Sequence, residues 1–229
     1  MKFIKSTFGE LNKFEISLWC VSLVVVILSY LISGCKDILS LSASAVGVTS
    51  LIFLARGFCI GQVLIIIFSV FYGIISYNNQ YYGEMITYLC ITTPIAVIAL
   101  IQWIKHPYNG TKEVEVNRIS KKHIVIMSLS AIVITVLFYF ILRSFGNATL
   151  IMSTVSITTS YVAAYLTAVR SPYYAFGYAA NDVVLIILWI AASIEEASNI
   201  PMIACFTMFL INDLYGFYSW KKMEKKQAK

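Results

Sequence analysis

The sequence predicts an all-α integral membrane protein with eight transmembrane helices, arranged as two parallel three-helix units joined by a linker helix and preceded by one extra helix. Two compositional facts carry the class: hydrophobic residues make up 59% of the 229-residue chain and charged residues only 12%, and the mean hydropathy is +0.81. A soluble domain carries about a quarter charged residues. No single core could enclose this much apolar surface, so the solvent is lipid. The third observation is an internal likeness. Residues 61–105 and 178–222 align without a gap, pairing Tyr72 with Trp189, Met85 with Met202, Trp103 with Trp220 and Lys105 with Lys222. A duplicated helical unit points to a transporter with a central site between the repeats.

The expected spans follow in order. The first, 16–32, is the extra helix. The second, 38–54, is interrupted by Ser40, Ser42, Ser44, Thr49 and Ser50, which suits a helix packed among helices. The third is 60–76. The fourth, 82–104, carries Pro94, which removes a backbone donor and predicts a kink that could serve as a hinge. A linker at 105–123, with Pro107, Asn109 and Gly110, leads to the fifth span at 124–142. The sixth is 148–167 and the seventh 178–193; the eighth, 201–219, opens on Pro201, a normal helix start. Each is close to the length that crosses roughly 30 Å of hydrocarbon. The expected divisions are 1–34, 35–104, 105–147, 148–220 and a basic tail at 221–229.

With cytoplasmic termini, only Lys36 and Arg143 of the 17 Lys and Arg residues fall on the outer side. That bias orients a multi-pass protein of the cell (inner or plasma) membrane with both ends in the cytoplasm. It also explains the net charge of +6 without nucleic acid, since the basic residues sit in loops and tail. Two histidines are too few for a metal site, and the five cysteines show no C-x-x-C spacing. No phosphate loop or catalytic constellation is evident, so no cofactor and no enzymatic activity are expected. Ile32-Ser33-Gly34-Cys35 has the look of a lipoprotein cleavage site, and Asn109-Gly-Thr and Asn147-Ala-Thr fit the glycosylation pattern; context argues against all three.

The second unit reads Asn181-Asp182-Val-Val-Leu-Ile-Ile-Leu-Trp189, and later Asn212-Asp213-Leu-Tyr215-Gly216 running to Trp220-Lys-Lys. This resembles the PnuC vitamin transporters, whose last helices carry an Asn-to-Trp stretch and a closing Asn-x-x-Tyr-Gly-x-x-x-Trp-Lys pattern. Ser153 to Arg170, and Tyr82-Gly83-Glu84 with Gln102-Trp103, extend the likeness over roughly residues 45–222. The resemblance implies a SWEET-like 3+1+3 fold, a homotrimer with one pathway per protomer, and facilitated diffusion of nicotinamide riboside. Sister groups carry thiamine, riboflavin or deoxynucleosides. It also implies a cytoplasmic kinase that traps the solute by phosphorylation. Where many relatives have two tryptophans before the helix-seven Asn, this chain has Tyr174 and Gly177; Ala99 and Leu100 stand where many have Gly and Trp.

A ring-plus-sugar solute needs a flat aromatic face and polar groups for its hydroxyls. Asn181 and Trp189 are separated by about 12 Å of helix rise and about 80° of rotation, so they could hold different ends of one solute. Asn212 and Tyr215 share a face. These four are the leading substrate-binding candidates, with Tyr72, Gln102 and Trp103 from the first unit. The plainer readings are that Trp103 and Trp220 are interfacial anchors beside lysines and that Asn181 and Asn212 tie helices together. Asp182 and Asp213 are gating or coupling candidates, because an Asp within a span needs a partner or a task. Arg170 or a basic loop residue could pair with them. Glu195 and Glu196 are expected in a solvated outer turn.

Overall fold

The computed structural model describes residues 8–34, 38–146 and 149–228. Cys35, Lys36 and Asn147 lie outside them, as does the side chain of Glu195. Among the described residues are eight helices long and apolar enough to cross a membrane. They are α1 (Lys13–Ile32), α2 (Ile38–Ala55), α3 (Cys59–Asn78), α4 (Tyr82–Lys105), α5 (Lys121–Ser144), α6 (Leu150–Ala168), α7 (Tyr174–Glu195) and α8 (Ile200–Gln227). Each overlaps an expected span. α8 runs beyond the expected 219 into the basic tail, where Lys221 bonds Glu224 one turn on at 2.6 Å.

Six helices close a ring. α2 packs on α3 and α8, α4 on α3 and α6, and α7 on α6 and α8. α1 lies outside against α2 and α8, while α5 lies outside against α6. The outer position of α5 follows from its sequence: Val125, Leu129, Ile132, Val136 and Phe140 are all exposed and need lipid. α2 is instead enclosed, burying Ser40, Ser44 and Ser50, as its serine content predicts.

α1 is fixed at its start by a capping box between Asn12 and Glu15. Glu15 is fully buried, yet Arg56 stands 3.8 Å away and the Tyr215 hydroxyl donates to it at 2.8 Å. Arg56→Met should leave that carboxylate short of its counter-charge. A loss of about 1–3 kcal/mol is expected, discounted because Arg56 is partly exposed. Thermal unfolding in detergent reads it, with Glu15→Gln/Arg56→Met recovering part of the loss.

The kink predicted at Pro94 takes the form of a π-helical turn, Thr87–Thr92, just before it. Proline cannot donate to the preceding turn. The wider turn absorbs the mismatch, and the Thr93 hydroxyl caps the Tyr88 carbonyl at 2.8 Å.

The linker is an ordered strap across the basic end. Val114 N donates to Gly57 O, Asn117 N to Arg170 O, and Val116 N to the Gln227 side chain. It thereby joins the α2–α3 turn, the α6–α7 turn and the end of α8. Gly57 sits at φ +68 in the first of these turns, a conformation that suits glycine. Ion pairs follow the same path: Lys112–Glu10, Arg56–Glu113, Lys226–Glu113 and Arg118–Glu224.

Candidate functional site

The basic end of the ring is closed by two indoles. Trp103 and Trp220, partners in the internal alignment, lie with ring centroids 5.3 Å apart and are 1% and 0% exposed. The interfacial-anchor reading is therefore corrected: neither ring reaches lipid. The Trp103 indole donates to Thr167 O in the last turn of α6 at 3.1 Å, and that of Trp220 to Leu54 O in the last turn of α2 at 2.8 Å. α4 is thus bolted to α6, and α8 to α2. Tyr174 adds an edge-on ring 4.9 Å from Trp220, and Gly177 lets α7 approach Ala163 of α6.

A second aligned pair meets deeper in the ring. The Trp189 indole donates to the Tyr72 hydroxyl at 2.8 Å, across 117 residues of sequence. Tyr72 is also edge-on to Tyr88 at 4.3 Å and to Phe206 at 5.3 Å, and stacks on Phe68 at 5.6 Å. Tyr81 stands edge-on to Trp189 at 5.5 Å. Beyond Tyr81 opens a polar vestibule of about 300 Å³ lined by Asn78, Asn79, Gln80, Glu196 and Asn199. Glu196 is solvent-exposed there.

Around this aromatic centre lie polar groups on four helices. Asn181 Oδ1 accepts from Ser156 at 3.1 Å and from Thr159 at 2.8 Å. Ser156 also bonds Glu84 Oε2 at 3.0 Å, while Glu84 Oε1 meets no donor. Asp182 and Asp213 line a small cavity of about 20 Å³, and their carboxyls are within hydrogen-bonding reach of each other. The suggested pairing of these aspartates with Arg170 is corrected: Arg170 turns to Glu115 at 3.4 Å.

The nine candidates therefore fall in three groups. Tyr72, Trp189, Asn181, Asp182 and Asp213 converge on the ring interior. Trp103 lies at its basic end, with Gln102 half-buried beside it. Asn212 and Tyr215 face α1, where Asn212 Nδ2 donates to Ser22 at 3.0 Å and Tyr215 to Glu15. Sequence reasoning did not place Glu84, Ser156, Thr159, Tyr81 or Tyr88 among the site candidates, although Glu84 stands in the Tyr82-Gly83-Glu84 stretch of the family likeness. A carboxylate near the start of an apolar run was the available signal for Glu84.

A model of the nicotinamide mononucleotide transporter family matches residues 37–222. The chain belongs to this family. Its relatives include a nicotinamide riboside transporter PnuC of Neisseria mucosa, 24% identical over 191 residues that make up 81% of this chain and 73% of the relative. The structure also superposes on a crystal structure of a vitamin B3 transporter PnuC with a TM-score of 0.87 and 21% identity, covering 99% of both chains. That likeness shows a PnuC fold. Membership makes the protein a multi-pass membrane transporter rather than an enzyme.

Proposed function

We propose that this PnuC-family protein mediates facilitated uptake of nicotinamide riboside across the cell (inner or plasma) membrane, with both termini cytoplasmic. A cytoplasmic kinase traps the solute by phosphorylation. The observation that carries this reading is the interior grouping of Trp189, Tyr72 and Asn181: aromatic faces for a ring, and an amide for hydroxyls, inside a closed ring of helices. Charge distinguishes the riboside from the mononucleotide of the family's name. Among the described residues, Glu84, Asp182 and Asp213 lie in the interior with no ion-paired base, and a phosphate there would find no cationic partner.

The reciprocal bonds of Trp103 and Trp220 support two parallel three-helix units, 35–104 and 148–220, about an axis along the membrane normal, as in a SWEET-like arrangement. Asn212 and Tyr215 join α8 to α1 in this reading, and Trp103 with Trp220 forms the inner gate. Assembly as a homotrimer leaves one pathway in each protomer. Calorimetry on the purified protein is expected to give micromolar binding of nicotinamide riboside and none of nicotinamide mononucleotide. Binding only of thiamine, riboflavin or a deoxynucleoside would keep the family and replace the solute.

A further inference from the structure

The protein treats its buried carboxylates in two ways. Glu15, wholly buried on α1, is given Arg56 and the Tyr215 hydroxyl. Asp182 and Asp213, each 3% exposed in the ring interior, are given no base: every ion pair among the described residues lies elsewhere. The groups that face them are Tyr88 of α4, Tyr174 and Tyr178 of α7, and Cys205 of α8, none of which carries positive charge. α2 and α3 present only Leu51, Leu54, Ile65 and Phe68.

Two polar atoms at this place are left over. No donor reaches Asp182 Oδ2, and the Thr92 hydroxyl, 2% exposed and on the wall of the same cavity, has no partner either. A buried polar atom without a partner costs about 1–3 kcal/mol, and more when charged. A protein tolerates that where something else completes the set. The rings of Phe68, Tyr88, Tyr178 and Phe209 complete the wall, and such faces attract cations. At about 20 Å³ the cavity holds no more than about one water. A larger occupant enters only as the ring opens past Trp189 or past the Trp103–Trp220 pair.

We infer that the Asp182–Asp213 pair is a charge-reading subsite that selects solutes carrying a fixed single positive charge on an aromatic heterocycle. This rests on the reading of the chain as a carrier of such solutes. A positive ring placed against the pair satisfies both carboxyls, and a neutral ring of equal size leaves them as they are.

The test compares two ligands of nearly one shape: nicotinamide riboside, whose pyridinium is cationic, and its reduced dihydro form, which is neutral. Binding is measured by calorimetry on wild type, Asp182→Asn, Asp213→Asn and the double variant, each first checked for a monodisperse folded peak. Asparagine keeps the side-chain shape and removes the charge. Wild type should prefer the cation by about tenfold or more. In the double variant that preference should fall to near unity, through loss of cation affinity alone. A preference that survives the double substitution in folded protein overturns the subsite. So does equal affinity of wild type for both forms. If wild type binds neither riboside but binds thiamine, and Asp182→Asn weakens that binding, the riboside reading fails while the charge-reading subsite stands. If only neutral thymidine or riboflavin binds, or nothing does, the subsite falls as well.

Discussion

Trp189→Ala is expected to weaken solute binding by about ten- to a hundredfold, the effect of losing a stacking face worth about 1–3 kcal/mol. The same substitution opens a cavity in a packed aromatic cluster and should destabilise the protein by about 3–5 kcal/mol. The two effects are separable. Trp189→Phe keeps a flat face but leaves the Tyr72 hydroxyl without the donor now 2.8 Å away. Its stability cost should be about 1–3 kcal/mol, with only a small change in affinity. Tyr72→Phe combined with Trp189→Phe should cost less than the sum of the singles, since neither partner is then orphaned. Calorimetry and thermal unfolding in the same detergent supply both readouts. Wild-type affinity in a folded Trp189→Ala protein would reduce the indole to a packing element.

Trp103→Ala and Trp220→Ala should loosen the basic end to similar extents, because each removes one of two matched bonds and half of the indole pair. Each substitution is expected to cost about 3–5 kcal/mol. Its mark should be local: faster amide exchange at residues 106–117 and at the ends of α2 and α6. Counterflow in proteoliposomes should rise at low solute, since the carrier opens at its basic end more readily. Heavy loss of protection from one variant with none from the other would contradict the reciprocal arrangement.

Much of this architecture was readable in advance. Runs of about twenty apolar residues leave little choice in lipid, where every backbone group must be satisfied within a helix. All eight spans were visible for that reason. Helix ends were less so: α8 continues through Lys221–Gln227 because ion pairs and the strap support it, and hydropathy does not register either. Facing was the least legible property. A helix apolar all round has no polar stripe to mark its inner side, so Trp103 and Trp220 looked like anchors, and Asn212 shared equal standing with Asn181. The Glu84–Ser156–Asn181 chain spans three helices and exists only once they pack.

The two ends of the pathway are barred unequally, and this bears on the pace of the transport cycle. At the vestibule end, one tyrosine edge covers Trp189 beneath an open vestibule. At the basic end, the strap binds the turns after α2 and α6 through backbone hydrogen bonds and the end of α8 through the Gln227 side chain, with the indole pair beside it. In the proposed uptake direction, solute arrives by displacing little, whereas its departure must unlatch several contacts at once. If the carrier works as proposed, discharge at the basic end is expected to be the slow step of turnover, with the strap setting its pace.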